Sequence, residues 1–277
     1  MEDAVPSSTP ARPKLDTTSP NMGRVADYIL GGKDNFAVDR EAAEAAMAII
    51  PNLSLLWHEG RRFLGRAVRY LAGEAGIRQF IDIGCGLPTQ GNVHEIAQSV
   101  APGARVAYID NDPMVVVHGQ AILQDDGITA VIEADARDPE KLLAHPALTD
   151  IIDLDQPVAV LLFGILQDIT DDAVAARMVE GLREAVPPGS YLAISHPVSD
   201  LMPESTTEMA VMFEDRGAVE GPTRAGGLRT KAEVDRYMDG LALVEPGLVY
   251  IPWWRPDGPI IHGAESVWVV GGVGRKD

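Results

Sequence analysis

A single cysteine, Cys85, stands among 277 residues, which excludes an intrachain disulfide and any zinc site built on several cysteines. Such low cysteine usage fits a reducing, cytoplasmic setting. No apolar run approaches the ~18–20 residues of a membrane-spanning helix, so no membrane partner is expected. Basic residues are the minority, 23 Lys+Arg against 41 Asp+Glu, giving a net charge of −18. Nucleic-acid binding leans on Lys and Arg neutralising phosphates, so no nucleic-acid partner is expected either. The one basic strip, Arg61, Arg62, Arg66 and Arg69, has the spacing of a solvated helix face. No H-E-x-x-H or comparable spacing occurs, and no metal is expected. Residues 1–20 are rich in Pro, Ser and Thr without an apolar stretch; they read as a disordered leader, not a signal peptide.

Hydrophobic residues make up 46% of the chain, ample for the core of one large domain, or of one domain with an elaboration. Helices are expected over residues 21–30, 39–50 and 55–72, the first ending at Gly31-Gly32 and the second at Pro51, as helix termini favour. The pattern then changes to short apolar strands at 79–84, 105–110, 128–133, 158–165 and 190–195. Helices at 92–100, 113–124 and 171–186 alternate with them, the first opened by Asn92 with Glu95 three residues on. That alternation means a doubly wound parallel α/β sheet. Residues 200–227 lose periodicity and read as loop or irregular helix. Thr230 with Glu233 opens a further helix, and two more strands are expected at 247–252 and 264–271.

Chemistry concentrates in Asp82-Ile83-Gly84-Cys85-Gly86-Leu87-Pro88-Thr89. Glycines directly after a strand let backbone amides approach a ligand, with a helix N-terminus behind them. A dinucleotide site wants a third Gly where Thr89 stands, and Asp82 would face a bound anion unfavourably. The ammonium and sulfonium of S-adenosylmethionine reverse that sign. Asp110 ends the second strand, 26 residues after Gly84, where such folds place a carboxylate for the ribose hydroxyls. Asn111 follows it, and Asp112-Pro113 reads mainly as a helix cap. Asp135, with Ala136, lies just past the third strand; it suits either the adenine amino group or a solvated loop. All three acids fall on the edge where open α/β sheets bind ligands.

In this order of strands, glycines and acids the chain resembles class I S-adenosylmethionine-dependent methyltransferases. It is closest to a bacterial, actinobacterial-type paralogue family long labelled a domain of unknown function. The resemblance runs over residues 20–275. It is carried by Asp27-Tyr28-Ile29-Leu30-Gly31-Gly32-Lys33-Asp34-Asn35-Phe36, by Phe63-Leu64-Gly65-Arg66, by the glycine loop, by Tyr108-Ile109-Asp110-Asn111-Asp112-Pro113 and by Trp254-Arg255-Pro256. It implies a Rossmann-like fold with a seven-stranded, mostly parallel sheet, an antiparallel last strand and helices on both faces. The implied organisation is the leader (1–20), an N-terminal helical cap (21–76) and a methyltransferase domain (77–277) with an irregular insert at about 200–246.

The resemblance also implies methyl transfer from S-adenosylmethionine to a small-molecule acceptor that the family does not identify. The implied cofactor set is Tyr28, Lys33, Asn35, Asp82, Gly84, Cys85, Gly86, Asp110, Asn111, Asp135, Ala136 and Gly164. Within it, Lys33 and Asn35 would bond the methionine carboxylate while Tyr28 closes the pocket. After the fourth strand Gln167-Asp168 stands where the family leads one to expect His or aromatic residues. That departure keeps a cofactor-binding protein without catalysis as an alternative, ahead of an NAD(P)-dependent oxidoreductase. If a base serves, His58, His94 and His196 are candidates, and His196, past the fifth strand, is the one on the functional edge. Trp253-Trp254 suits either an acceptor wall, a dimer contact or core packing. Met202, Met209 and Met212 suit an adaptable lid or plain packing. Monomer and dimer both remain open.

Overall fold

The computed structural model describes residues 16–277 except 89–90, 123–126, 220–221, 223 and 225–226. Most of the expected leader and the distinguishing Thr89 therefore lie outside the described residues.

Three helices come first, α1 (Met22–Ile29), α2 (Ala37–Ile49) and α3 (Leu53–Gly73). Asn21 caps α1, its side chain accepting from the amides of Gly23 and Arg24, which satisfies two otherwise orphaned donors. The alternating part follows: β1 (Gln79–Ile83), α4 (Val93–Val100), β2 (Arg105–Asp110), α5 (Pro113–Ile122), β3 (Thr129–Glu133), α6 (Pro139–Leu143), α7 (Pro146–Thr149), β4 (Ala159–Phe163), α8 (Asp172–Ala185) and β5 (Tyr191–Pro197). The capping box of α4 is present, with Glu95 accepting from the Asn92 amide at 2.8 Å. The chain closes with α9 (Pro203–Asp215), α10 (Lys231–Asp235), β6 (Ala242–Leu243), β7 (Val249–Tyr250) and β8 (Val269–Arg275).

The sheet order is β3-β2-β1-β4-β5-β8-β6, with β7 also paired to β8. Strands β1 to β5 are mutually parallel and β8 runs antiparallel to β5. Both β6 and β7 lie along the far edge of β8, against Gly274–Arg275 and Val270–Gly271 respectively. These two short pieces act as one interrupted edge strand, so the sheet is seven positions wide.

Alternation along the strands divides the core in two. Phe80, Val106, Tyr108, Leu161 and Ala193 pack with α1 to α4 on one face. Ile81, Ile83, Ala107, Ile109, Val160 and Ile194 pack with α6 to α8 on the other. Helices thus cover both faces, and the N-terminal helices share one core with the sheet.

Three expectations need correction. The stretch read as irregular holds a regular helix, α9, whose inward positions are Thr206, Met209 and Phe213. Its pattern was faint because one core position is a threonine, its hydroxyl bonded back to the Met202 carbonyl at 2.8 Å. The last strand starts at Val269, not near 264, since the glycines of Val269–Arg275 dilute its β propensity. The basic strip is not one solvated face: Arg66 is buried, donating to the Trp254 and Ile251 carbonyls at 2.9 and 2.6 Å. Arg61 turns toward the sheet edge, while Arg62 and Arg69 pair with Glu59 and Asp257 at the surface.

Candidate functional site

At the carboxyl ends of β1 to β5 lies a cavity of about 460 Å³. Its floor is the turn after β1, where Gly84 and Gly86 take φ of +69° and +64°, a region that side chains resist. A Cβ on Gly84 would stand 2.6 Å from Ile165, so glycine also lets the β4 loop close on this turn. The amides of Gly84 and Cys85 bond the Ile109 carbonyl at 2.8 and 3.2 Å. The Gly86 amide donates to Asp110 Oδ2 at 2.9 Å, and the Asp112 amide to Oδ1 at 3.0 Å. Asp110 therefore braces the loop while lining the cavity. Asp112 caps α5 through the Met114 amide at 2.7 Å, as its sequence position suggests.

Carboxylates dominate the electrostatics. Asp82 points to the α3 face of β1, 6% exposed, and burial pushes its carboxyl up to about 7 against the pull of Arg61, with Asp110 adding to the rise. Burial and Asp110 raise Asp168 to about 7 as well. Asp110 is itself raised by burial, opposed by the amides that it accepts. Three carboxyl groups thus line one cavity, an arrangement that a cation relieves. Burial, with Asp110 and Asp82, raises the Cys85 thiol well above its ordinary value and keeps it protonated.

The other expected residues divide. Gly84, Cys85, Gly86, Asn111, Asp135, Ala136, Gly164 and His196 all line the cavity. Asp135 is already gripped by Arg137, at 2.9 and 2.8 Å from its two oxygens, and is held below the usual carboxylate range. Tyr28, Lys33 and Asn35 do not line it. Every residue of α1 except Arg24 and Tyr28, which are one turn apart, lines it. Tyr28 falls on the opposite side, its hydroxyl on Glu44 at 3.0 Å. Lys33 is exposed, and Asn35 spends its amide on Asp27 at 2.8 Å.

Asp27, Arg61 and Asp168 are lining residues to which the sequence reading gave no cofactor role. Asp27 stood unremarked beside Tyr28, and Arg61 shared a helix with three arginines of other fates. The tryptophan wall is Trp57 and Trp268, while Trp254 packs at right angles to Phe63 and Tyr70 in the core and Trp253 is exposed. Met209 lines the cavity, whereas Met202 and Met212 pack against the core.

His196 is fully buried, and desolvation, assisted by Arg229, lowers its imidazole to about 3. It is neutral throughout the physiological range. His58 bonds the Ser54 carbonyl at an exposed site, His94 bonds the Tyr108 hydroxyl, and neither lines the cavity. Among the described residues no cluster of three His, Cys, Asp or Glu can hold a metal ion, and no helix is long and apolar enough to cross a membrane.

A parallel sheet with one antiparallel strand, a glycine turn after β1 and acids lining the cavity at its carboxyl edge define a class I S-adenosylmethionine-dependent methyltransferase. The chain belongs to the S-adenosyl methyltransferase family, whose sequence model matches residues 8–277. Two crystal structures are similar throughout. A candidate methyltransferase from Thermobifida fusca is 44% identical, covering 96% of this chain and 98% of that one with a TM-score of 0.88. A DUF574-family protein from Streptomyces avermitilis is 42% identical over 95% of this chain and 100% of that one, TM-score 0.89. No curated protein sequence matches significantly. The cofactor is S-adenosylmethionine, and the oxidoreductase alternative falls away.

Proposed function

We propose that Asp82, Asp110 and Asp168 form the anionic cradle for S-adenosylmethionine, with Asn111 beside the ribose, Asp135 and Ala136 at the adenine end, and the Gly84–Gly86 backbone and Gly164 at the methionyl end. The observation that supports this most is the trio of carboxyls lining one cavity, Asp82 and Asp168 raised to about 7. In the free protein Asp82 and Asp168 hold their protons up to about pH 7; a cation makes ionisation favourable, so binding at or below neutral pH releases protons. When bound, S-adenosylmethionine supplies an electrophilic methyl group on sulfur. The chain's own part is positioning and exclusion of water, the two effects on which such a displacement depends.

The acceptor is a small molecule, since the cavity at about 460 Å³ is of the size that small ligands occupy. A net charge of −18 speaks against a nucleic-acid acceptor, and one half-buried cysteine fits the cytoplasm. Calorimetric titration with S-adenosylmethionine, S-adenosylhomocysteine and NAD tests the reading. The first two should bind with proton release, detectable in buffers of different ionisation enthalpy. Binding of NAD alone would overturn it.

A further inference from the structure

Asp27 is a buried acid outside the proposed cofactor cradle. It lies on α1, is 3% exposed and lines the cavity. Helix α1 rests on the glycine turn, Gly23 against Gly86, and Asp27 is one turn farther along the same face. Its Oδ2 accepts from the Asp34 amide at 2.9 Å and from Asn35 Nδ2 at 2.8 Å. Its backbone carbonyl takes the Gly32 amide at 2.7 Å. Residues 32–35 thus wrap one side of the carboxylate and fix its direction.

The second oxygen is left over. Asp27 Oδ1 accepts no hydrogen bond among the described residues, where both side-chain bonds go to Oδ2. The side-chain polar atoms that are unpartnered and sealed off there are Gln167 Oε1, His196 Nε2, Arg229 Nε, Trp254 Nε1 and Trp268 Nε1. Asp27 Oδ1 is not one of them, so the little surface that Asp27 keeps includes this oxygen, and Asp27 lines the cavity. A Cβ at Gly32 would run into Oδ1; only glycine there leaves the oxygen its room.

The cavity also holds more acid than cation. Asp135 is matched by Arg137, while Arg224 and Arg229 are taken by Asp172 and Glu233, which stand outside the lining. The remaining lining arginine, Arg61, acts on Asp82. Against it stand Asp27, Asp82, Asp110 and Asp168. S-adenosylmethionine brings a sulfonium, an ammonium and a carboxylate, one net positive charge. With the cofactor bound and these acids ionised, negative charge is still in excess, and a buried charge left unmatched is costly. A second cation removes that cost. Leu56, Trp57, Met209 and Phe213 line the same cavity and suit an apolar body.

We propose, resting on the methyl-transfer reading above, that the methyl acceptor is a protonated amine on an apolar body and that Asp27 Oδ1 receives its ammonium. Asp27 is the lining acid that belongs neither to the cradle nor to an ion pair. In the reaction the ammonium releases one proton to water, and its nitrogen lone pair bonds the methyl carbon. The carbon–sulfur bond breaks with its electron pair to sulfur. Positive charge leaves sulfur and reappears on nitrogen, and a fixed carboxylate beside that nitrogen meets the charge where it develops. A hydroxyl acceptor would leave Asp27 unmatched, and a carboxylate acceptor would add to the excess.

Three size-matched probes test the assignment: 2-naphthylmethylammonium, 2-naphthylmethanol and 2-naphthoate, titrated at neutral pH into the protein saturated with S-adenosylhomocysteine. The ammonium should bind at least about tenfold more tightly than the alcohol, with the carboxylate weakest. Asp27→Asn keeps an oxygen for the Asp34 and Asn35 donors and puts an amide NH2 where Oδ1 stands. It should erase about tenfold of the ammonium's preference. The alcohol and S-adenosylhomocysteine should bind within about twofold of wild type, with circular dichroism confirming the fold. Equal or tighter binding of the alcohol or the carboxylate by the wild-type protein overturns the proposal, whatever the variant does. So does an ammonium preference that Asp27→Asn leaves intact, or a matching loss of S-adenosylhomocysteine affinity, which would move Asp27 into the cofactor site. Failure of the wild-type protein to bind S-adenosylhomocysteine would instead overturn the cofactor reading.

Discussion

Replacing Asp82 with asparagine should stabilise the free protein at alkaline pH while weakening its hold on the cofactor. Asp82 is buried on β1, and its carboxyl is raised from 3.8 to about 7, chiefly by burial. Between those values the native state keeps a proton that the unfolded chain has released. Stability therefore falls as pH rises through this window, and the loss is complete above about 7. At roughly 1.4 kcal/mol per pH unit the whole loss is about 4 kcal/mol. Asparagine has nearly the same shape and no titration. From pH 5 to pH 8 the variant should gain about 3 kcal/mol on the wild type. Asp168 titrates in the same range but is present in both proteins, so it cancels in the difference. Cofactor binding should move the other way, because a cation gains from a carboxylate what an amide does not supply. A lost charged hydrogen bond costs about 1.5–3 kcal/mol, or roughly 10–150-fold in affinity. Urea unfolding of the free proteins at the two pH values, with calorimetry of S-adenosylhomocysteine at pH 8, measures both effects. A stability difference that does not change with pH refutes the buried-carboxyl argument; unchanged affinity refutes the cradle.

Asp110→Asn should lower S-adenosylhomocysteine affinity by about 1–3 kcal/mol, since the acid both braces Gly86 and faces the cavity; titration at neutral pH reads the change, and full affinity would remove its role. Lys33→Ala should leave that affinity within about twofold, as an exposed substitution normally does, because Lys33 does not line the cavity. A tenfold loss would restore Lys33 as a carboxylate contact. Arg66→Met should destabilise the fold by about 2–4 kcal/mol in urea, leaving the Trp254 and Ile251 carbonyls unpaired in the core. An unchanged midpoint would mean that those carbonyls find other partners.

Much of the fold and of the cavity's glycine-and-acid edge was legible along the chain. Strand β2 appears over Arg105–Asp110, as its alternating apolar residues imply, and the Asn92–Glu95 box opens α4. Asp82, Asp110 and the two glycines were legible because each sits a fixed distance from a strand end, and a parallel sheet brings successive strand ends together. The N-terminal segment was harder. Its motif is visible in the sequence, but which of its residues line the cavity depends on the rotation of α1, which brings Asp27 there and turns Tyr28 away. Helix α9 was obscured by a buried threonine whose hydroxyl finds its partner one turn back. The four arginines of α3 read as one kind of residue, but their fates depend on what lies across from each.

The sequence by itself determined the class of fold, the cofactor and the sheet edge where glycines and acids gather, because strand alternation, tight turns and acids at strand ends are local features that register in residue order. Only the tertiary structure decided how those acids behave and what stands opposite them. The rise of Asp82 and Asp168 comes from burial with Asp110 adding to each, and the cavity residues Gln167, His196, Arg229 and Trp268 meet from four separated segments. Desolvation and hydrogen-bond satisfaction depend on every neighbour at once, and neighbours distant in the chain become neighbours only in the fold.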